Sequence, residues 1–259
     1  MTPRQNYTRV GQAPTARELL VLEVVDRVEI SPSFVRVTLA GPAAARLTRR
    51  GADQWARVFI PTDDGTALSR IPARLTPRSY LSYVGLDRAA RPLMRSYTIA
   101  PRDDRVHGTA VDVDFLVHSD GAAARWAQQS RPGQSVGLID QGTGFTFPAG
   151  PPVHLVGDSS AVPAIAGILA SLPADAVGRV TALVTPSDRR ELPHPRGVEV
   201  NYVDDECALR GSVTDNGPPP RGVGWVAGEA SLVVDVRRAW LDAGLPKDRM
   251  AFCGFWRRR

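Results

Sequence analysis

The sequence predicts two domains, an antiparallel β-barrel followed by an α/β domain built on a parallel sheet. The first half consists of short segments rich in β-branched residues with a single helical segment among them, which is typical of a small barrel. In the second half, apolar strands alternate with helices, which favours a parallel sheet. A proline- and glycine-rich stretch, FPAGPPVHL, separates the two patterns, so we place the domains at residues 15–148 and 152–259.

The predicted barrel strands follow one another from residue 19 onward. FVRVTLAG alternates apolar and polar side chains, as a half-buried strand does. The single helical segment is AAARWAQQS, and residues 65–93, which are rich in Gly, Pro, Ser and Arg, are predicted to be a long loop. The strand segments in order are LLVLEVVDRVEI, FVRVTLAG, ARVFIP, MRSYTIAP, AVDVDFLVH and the centre of RPGQSVGLIDQGTGF.

The predicted α/β domain begins with the apolar strand VHLVGD. The helix SSAVPAIAGILASLP follows it, with Ser159 or Ser160 as the expected N-cap. Because domain junctions supply clefts, we expect a ligand where the two domains meet. The remaining segments in order are the strands RVTALVTP, GVEVNYVDD and GVGWVAGEA, the helix SLVVDVRRAWLDAG and the strand RMAFCGFW.

Composition and charge narrow the class of protein. The chain has 259 residues, 43% of them apolar, and a net charge of +5, which favours acidic partners such as phosphates or carboxylates. Cys207 and Cys253 lie far apart and the four histidines lack metal-ligand spacing, so we expect neither a disulfide framework nor a metal site. There is no apolar leader and no run long enough to span a bilayer, and the basic residues are scattered. We therefore expect a soluble, cytoplasmic monomer without nucleic-acid binding or membrane insertion.

Residues 95–101, RSYTIAP, form the first candidate binding motif. In a strand, Arg95 and Tyr97 share one face while Ser96 and Thr98 share the other. An arginine fork can grip a pyrophosphate, and a tyrosine offers a flat face to a ring whose nitrogen a neighbouring hydroxyl can bond. These groups suit a flavin dinucleotide, but the pattern also suits an ordinary half-buried strand. The near-copy RSYLS at 78–82 has leucine in place of the hydroxyl, so we expect it outside the motif or near the adenine side.

A second candidate motif, DVDFLVHSDGAAARWA, reads as a strand, a turn and the start of a helix. The exposed N–H groups of a helix N-terminus suit a pyrophosphate. Asp114 has a carboxylate that can bond a flavin or ribose group, and His118 stands at the predicted strand end. Taken alone, each of the other two residues also has an interpretation without a ligand, His118 as a structural histidine and Trp126 as a residue that packs the helix.

Five segments taken together resemble the siderophore-interacting protein family of FAD-dependent ferric-siderophore reductases, within the ferredoxin-reductase-like superfamily. The resemblance covers roughly residues 15–259. It implies a barrel that binds FAD and an α/β domain that binds an electron donor. The segments are MRSYTIAPRD, VDVDFLVHSDGAAARWA, GDSSAVPAIAGIL, GEASLVVDVRRAWLDAGL and CGFWRRR.

The resemblance also assigns site residues. One departure stands out, since the family commonly has serine where this chain has Ala124, which removes a hydroxyl contact and predicts weaker FAD binding. Positive charge for an anionic ferric siderophore is expected from Arg57, Arg257 and Arg258. Cofactor contacts are expected from Arg95, Ser96, Tyr97, Thr98, Asp114, His118, Ala123, Ala124, Trp126 and, on the donor side, Ser160.

The donor and the acceptor stay open at the level of sequence. VGDSSAVPAIAGIL has the order strand, turn and helix but lacks the dinucleotide fingerprint, and the resemblance implies NADPH or NADH, with ferredoxin in some members. Ferric siderophores bring their own hard oxygen ligands, so no metal ligands and no catalytic acid or base are expected. The alternatives are a general flavin or ferredoxin-type oxidoreductase with another acceptor, and a non-catalytic protein that binds flavin or siderophore.

Overall fold

The computed structural model describes residues 11–14, 17–61, 66–74, 76–87, 91–101, 109–117, 121–218 and 221–258. The chain divides into two compact units. One comprises Ala13–Arg50 and Gln54–Gly142, and the other comprises Met1–Gln12, Gly51–Asp53 and Thr143–Arg259. We call them the barrel unit and the parallel unit.

The predicted strands and helices occur in the predicted order, with two further helices at residues 77–84 and 206–216. No helix within the described ranges is long and apolar enough to cross a membrane. Their bounds are β1 Leu20–Ser31, β2 Phe34–Ala40, β3 Trp55–Ile60, α1 Pro77–Val84, β4 Leu93–Thr98, β5 Val111–Leu116, α2 Ala122–Gln129, β6 Ser135–Gly142, β7 Val153–Asp158, α3 Val162–Ser171, β8 Val177–Leu183, β9 Gly197–Val203, α4 Glu206–Asn216, β10 Val223–Glu229, α5 Ala230–Asp242 and β11 Met250–Trp256.

The barrel unit is a six-stranded antiparallel sheet in the order β4-β3-β6-β1-β2-β5. Its two end strands meet through the bridge between Ile99 and Val113 and through the bond from Ala100 N to Asp112 O (2.9 Å), which curls the sheet into a barrel. Alternating residues of each strand point inward and pack with Ala123 and Ala127 of α2. The predicted barrel is therefore confirmed.

The loop predicted over residues 65–93 is partly wrong, because this stretch contains a 3₁₀ turn, Thr66–Arg70, and helix α1. Tyr83 of α1 is 5% exposed, packs edge-on against Phe59 with ring centroids 5.6 Å apart, and donates its hydroxyl to Pro92 O (2.6 Å). So short a helix gains its stability from such tertiary contacts, which composition does not reveal. RSYLS is thus helical, whereas RSYTIAP begins in strand β4.

The parallel unit has a five-stranded parallel sheet in the order β11-β10-β7-β8-β9. Helix α4 was not predicted, although Asp205 before it caps it by accepting from Ala208 N (2.7 Å). The predicted N-cap at Ser159 or Ser160 is wrong, since Asp158 accepts from Ser160 N (2.9 Å) and the chain makes one 3₁₀ turn before α3.

Residues 51–53 belong to the parallel unit because they pack tightly against it. A Cβ added at Gly167 of α3 would lie 2.0 Å from Ala52 O, so only glycine admits this approach. Asp53 is 2% exposed and accepts from Trp225 Nε1 (2.9 Å) and from the backbone N–H groups of Gly144 and Phe145. A segment distant in sequence thereby completes the core of this unit.

Candidate functional site

The RSYT motif lies in β4 with the predicted alternation. In the antiparallel pairing of β4 with β3, Arg95 is opposite Val58 and Tyr97 is opposite Ala56. Arg95 and Tyr97 therefore lie on the same face of the sheet as Val58 and Ala56. Arg95 is exposed, and its side chain donates only to Met94 O (2.8 Å) among the described residues. The guanidinium thus has donors left for an anion.

Tyr97 forms one end of an aromatic row. Its ring lies 4.3 Å from that of Phe115, which lies 5.5 Å from the ring of Trp126, measured between centroids. Burial raises the pKa of Tyr97 to about 12, so its hydroxyl stays neutral. Ser96 is exposed while Thr98 is 7% exposed, so Ser96 has the more accessible hydroxyl.

Asp114 is 3% exposed and held by Arg36 of β2, whose Nε and Nη2 donate to its two carboxylate oxygens (2.7 and 3.0 Å). The hydrogen bond with Asp114 raises the pKa of Arg36. On the same face, Thr38 donates to Asp112 (2.7 Å). The sequence reasoning missed these partners, although alternation in FVRVTLAG and VDVDFL places them on facing strands. The role of Asp114 toward a flavin stays a prediction.

Among the described residues, no side chain caps the N-terminus of α2. Its N-cap, Gly121, makes no side-chain capping bond, and the first turn contains no acidic residue. Ala123 and Ala124 are buried, 7% and 5% exposed, and add no polar atoms, while Trp126 packs partly buried against the barrel core. The first-turn N–H groups are therefore available to a phosphate. His118 lies outside the described residues, so its role stays a prediction.

Ser160 lies in the turn after β7, and its hydroxyl donates to Asp158 Oδ1 (2.5 Å). Asp158 also accepts from Trp256 Nε1 (2.8 Å), and Glu229 accepts from Arg258 N (3.2 Å). Neither carboxylate was singled out by the sequence reasoning. Asp158 is the last residue of β7 and Glu229 is the last residue of β10. Both therefore lie at the carboxyl edge of the parallel sheet, where ligands of such sheets bind.

The three predicted substrate arginines differ in their environments. Burial lowers the pKa of Arg57, whose Nε has no hydrogen-bond partner among the described residues. Arg258 donates to Glu206 (2.5 Å), whereas Arg257 is exposed and no ion pair of its side chain is found in the described part of the chain. The sequence gives no reason to separate Arg257 from Arg258. In the structure they differ, because the side chain of Arg258 is held in an ion pair with Glu206 whereas no such pair of Arg257 is found among the described residues.

The groups assembled in the barrel unit fit a flavin dinucleotide. An exposed guanidinium at Arg95 and uncapped N–H groups on α2 suit a pyrophosphate, and Tyr97 offers a half-buried aromatic ring. A barrel followed by a parallel sheet is also the fold of a ferredoxin reductase of carbazole 1,9a-dioxygenase, with a TM-score of 0.65 and 14% identity over 92% of this chain and 69% of that one. A siderophore utilization protein from T. fusca has the same fold, with a TM-score of 0.78 and 26% identity over 96% of this chain and 95% of that one.

Comparison with known sequences narrows the class to a family. Residues 23–144 match the siderophore-interacting FAD-binding domain and residues 151–259 match the siderophore-interacting protein model. The chain belongs to the siderophore-interacting protein family, as the sequence resemblance predicted.

Three relatives illustrate the range of the family. The uncharacterized protein Rv2895c of Mycobacterium tuberculosis is 31% identical, over 93% of this chain and 91% of its own. The NADPH-dependent ferric-chelate reductase of Escherichia coli is 29% identical over 98% of each chain. The ferric vibriobactin reductase ViuB of Vibrio cholerae is 26% identical, over 92% of this chain and 89% of its own.

Proposed function

We propose that this protein is an FAD-dependent ferric-siderophore reductase that uses NADPH and releases iron as Fe(II). The observation that carries the proposal is the barrel unit's combination of exposed Arg95, aromatic Tyr97 and a start of α2 that no described side chain caps. Support comes from the relatives named ferric-chelate reductase and ferric vibriobactin reductase.

The chain's own residues bind and orient. Arg95 and the first-turn N–H groups of α2 bind the pyrophosphate, Tyr97 presents its ring to the isoalloxazine, and Ser96 or Thr98 bonds a ring nitrogen. When bound, FAD supplies the conversion of a two-electron hydride into single electrons. One NADPH thus reduces two ferric chelates, yielding NADP⁺, one proton and two Fe(II). The reaction requires no acid, base or nucleophile from the protein, and we assign none.

The substrate is proposed to be an anionic ferric siderophore attracted by Arg57 and Arg257. Arg57 is partly desolvated and its Nε has no hydrogen-bond partner in the described part of the chain, so an anionic oxygen would relieve the cost of its burial. Replacing Arg257 with alanine should raise KM for an anionic ferric chelate a few-fold at low salt, because long-range attraction is lost. A neutral chelate should show no change, and the difference should shrink as salt rises.

Arg258→Ala is the matched control for that substitution. It removes the same charge, but it also breaks the contact with Glu206, so it should lower the unfolding midpoint where Arg257→Ala does not. If Arg257→Ala leaves KM for both chelates unchanged at low salt, Arg257 has no substrate role.

The test of the whole proposal is anaerobic turnover of several ferric chelates with NADH, NADPH and reduced ferredoxin, with a chelator that traps Fe(II). We expect a yellow protein, NADPH-dependent release of Fe(II), and preference for siderophore chelates. Flavin reduction by NADPH without Fe(II) release would point instead to an oxidoreductase with another acceptor. Failure to bind flavin would point to a non-catalytic binding protein.

We further propose that the protein works as a cytoplasmic monomer. Within the described part of the chain Cys207 and Cys253 form no disulfide, which suits a reducing compartment where NADPH is available. The basic charge also suits an acidic ferredoxin as a second donor. Light scattering of the purified protein tests the oligomeric state, and the turnover assay above tests the ferredoxin.

A further inference from the structure

A buried carboxylate joins three chain segments at the carboxyl edge of the parallel sheet. Asp158, the last residue of β7, is 7% exposed, and no cation pairs with it among the described residues. Its Oδ1 accepts from Ser160 N (2.9 Å) and Ser160 Oγ (2.5 Å), while its Oδ2 accepts from Glu229 N (2.7 Å) and Trp256 Nε1 (2.8 Å). Four donors thus compensate a charge removed from water.

The neighbouring strand is shaped to admit this carboxylate. Gly228 of β10 has φ 137°, and a Cβ there would lie 2.6 Å from Oδ2 and 2.7 Å from Cγ of Asp158. The pairing between β10 and β11 shifts at this point, since Gly228 is opposite Gly254 whereas Glu229 is opposite Trp256 rather than Phe255. The shift is a bulge of the kind that redirects a side chain. The arrangement therefore brings the indole N–H to the carboxylate.

Two further carboxylates hold the residues after the indole. Glu229 Oε1 accepts from Arg258 N, and Glu206 Oε1 accepts from Arg258 Nη2. Burial opposes ionisation of Glu229, but hydrogen bonds from Ser231, Arg258 N and Leu232 outweigh it and lower its pKa to about 2. In residues 256–258, the C-terminal tail, Arg258 is therefore held by two carboxylates that stay ionised at neutral pH, while Trp256 remains 38% exposed.

We propose that Asp158 is a positioning residue that keeps Trp256 in a fixed place beside the turn Ser159–Ala161, so that NADPH binds between this turn and the exposed indole. The inference rests on the proposed function, since it takes NADPH as the donor. Ligands of open parallel sheets bind at this edge, and an indole held by its N–H presents a rigid apolar face to a nucleotide ring. The Asp158 carboxylate thereby links the turn Ser159–Ala161 to the C-terminal tail.

The test compares Asp158→Asn with Asp53→Asn in the full-length protein loaded with FAD. Asp53 is the matched control because it is equally buried, lies in the same unit and accepts an indole N–H from Trp225 as well as backbone N–H groups. In each variant the amide turns an N–H₂ toward groups that are themselves donors. Both variants should therefore unfold at lower urea concentration.

Only Asp158→Asn should alter the donor site. We expect about a tenfold rise in the Kd of NADP⁺ measured by calorimetry and a similar rise in KM for NADPH, with FAD content unchanged. Asp53→Asn should leave both within about twofold of the native chain. Trp256→Phe keeps an aromatic side chain but replaces the indole, with its N–H, by a smaller phenyl ring, so it should weaken NADP⁺ binding as well. In the double variant Asp158→Asn with Trp256→Phe, the Kd of NADP⁺ should rise by less than the product of the two single-variant increases, because both substitutions remove the same hydrogen bond.

Several outcomes overturn the inference. Equal effects of Asp158→Asn and Asp53→Asn on NADP⁺ binding, or multiplicative effects in the double variant, mean that the carboxylate serves only the fold. If Asp158→Asn does not fold, Trp256→Phe removes the same bond from its exposed partner, and an unchanged Kd overturns the inference. If the native protein reduces no ferric chelate with NADPH, the proposed function is overturned. If the native protein turns over normally but Asp158→Asn and Asp53→Asn bind NADP⁺ equally well, this inference alone is overturned.

Discussion

Replacing Arg95 with alanine should remove most of the FAD without harming the fold. The side chain is exposed and its only hydrogen bond among the described residues goes to the adjacent Met94 O, so the barrel does not depend on it. A charge-assisted fork to a phosphate contributes about 2 to 4 kcal/mol, and its exposure places Arg95 at the lower end. A loss of about 2 kcal/mol raises the Kd of FAD roughly thirtyfold.

The assay is titration of apoprotein with FAD, followed by flavin fluorescence, alongside thermal unfolding of the apoprotein. Arg78→Ala is the control because Arg78 starts the other RSY sequence and lies exposed on helix α1. We expect Arg78→Ala to bind FAD as the native chain does, and both apoproteins to unfold at the native temperature. Equal FAD affinity in the two variants would refute the assignment of the β4 copy.

Three further predictions concern the cofactor helix and the stability of the parallel unit. Ala124→Ser should tighten FAD binding by about 1 kcal/mol in the same titration, because a hydroxyl is restored in the first turn of α2, and unchanged affinity removes that explanation. Gly167→Ala should lower the free energy of unfolding in urea by about 2 kcal/mol, because its Cβ would meet Ala52 O. Gly211→Ala on α4, where a Cβ would meet nothing within 4 Å, should raise it by about 1 kcal/mol. Changes of the same sign in both variants would contradict the packing argument. Burial lowers the pKa of His154 to about 4, so below pH 6.5 the unfolded chain binds a proton that the folded chain refuses, and about 3 kcal/mol of stability present above pH 6.5 is lost as pH falls through 4. His154→Gln should flatten that part of the urea-unfolding profile, and parallel profiles would show that another group is responsible.

The strands and the β4 motif could be predicted because their signals are local. The inward residues of β1 begin at Leu20 and alternate with Leu22 and Val24, so the sequence already carries the burial pattern. The alternation of Arg95 and Tyr97 likewise follows from strand geometry alone. Family membership was also evident from motifs in order along the chain, and the family models match the same two halves.

The helices α1 and α4 show where local signals fail. α1 lies in a segment rich in turn formers and depends on Tyr83 packing against Phe59, a contact between residues 24 positions apart. α4 begins with a clear cap at Asp205, yet it contains Gly211 and β-branched residues that weaken its pattern. Propensity is a weak prior, and packing decided both cases.

By itself, the sequence determined the order of the strands and of three of the five described helices, the two-unit fold class and the RSYT motif, because apolar periodicity and short motifs are written in consecutive residues. Only the tertiary structure decided which polar groups meet. Arg36 joins Asp114 because β2 and β5 pair in one register, and Asp158 meets Trp256 because β7 and β11 flank β10. Hydrogen bonds act over about 3 Å, so partners 78 or 98 residues apart in sequence are chosen by strand order and register rather than by any local pattern.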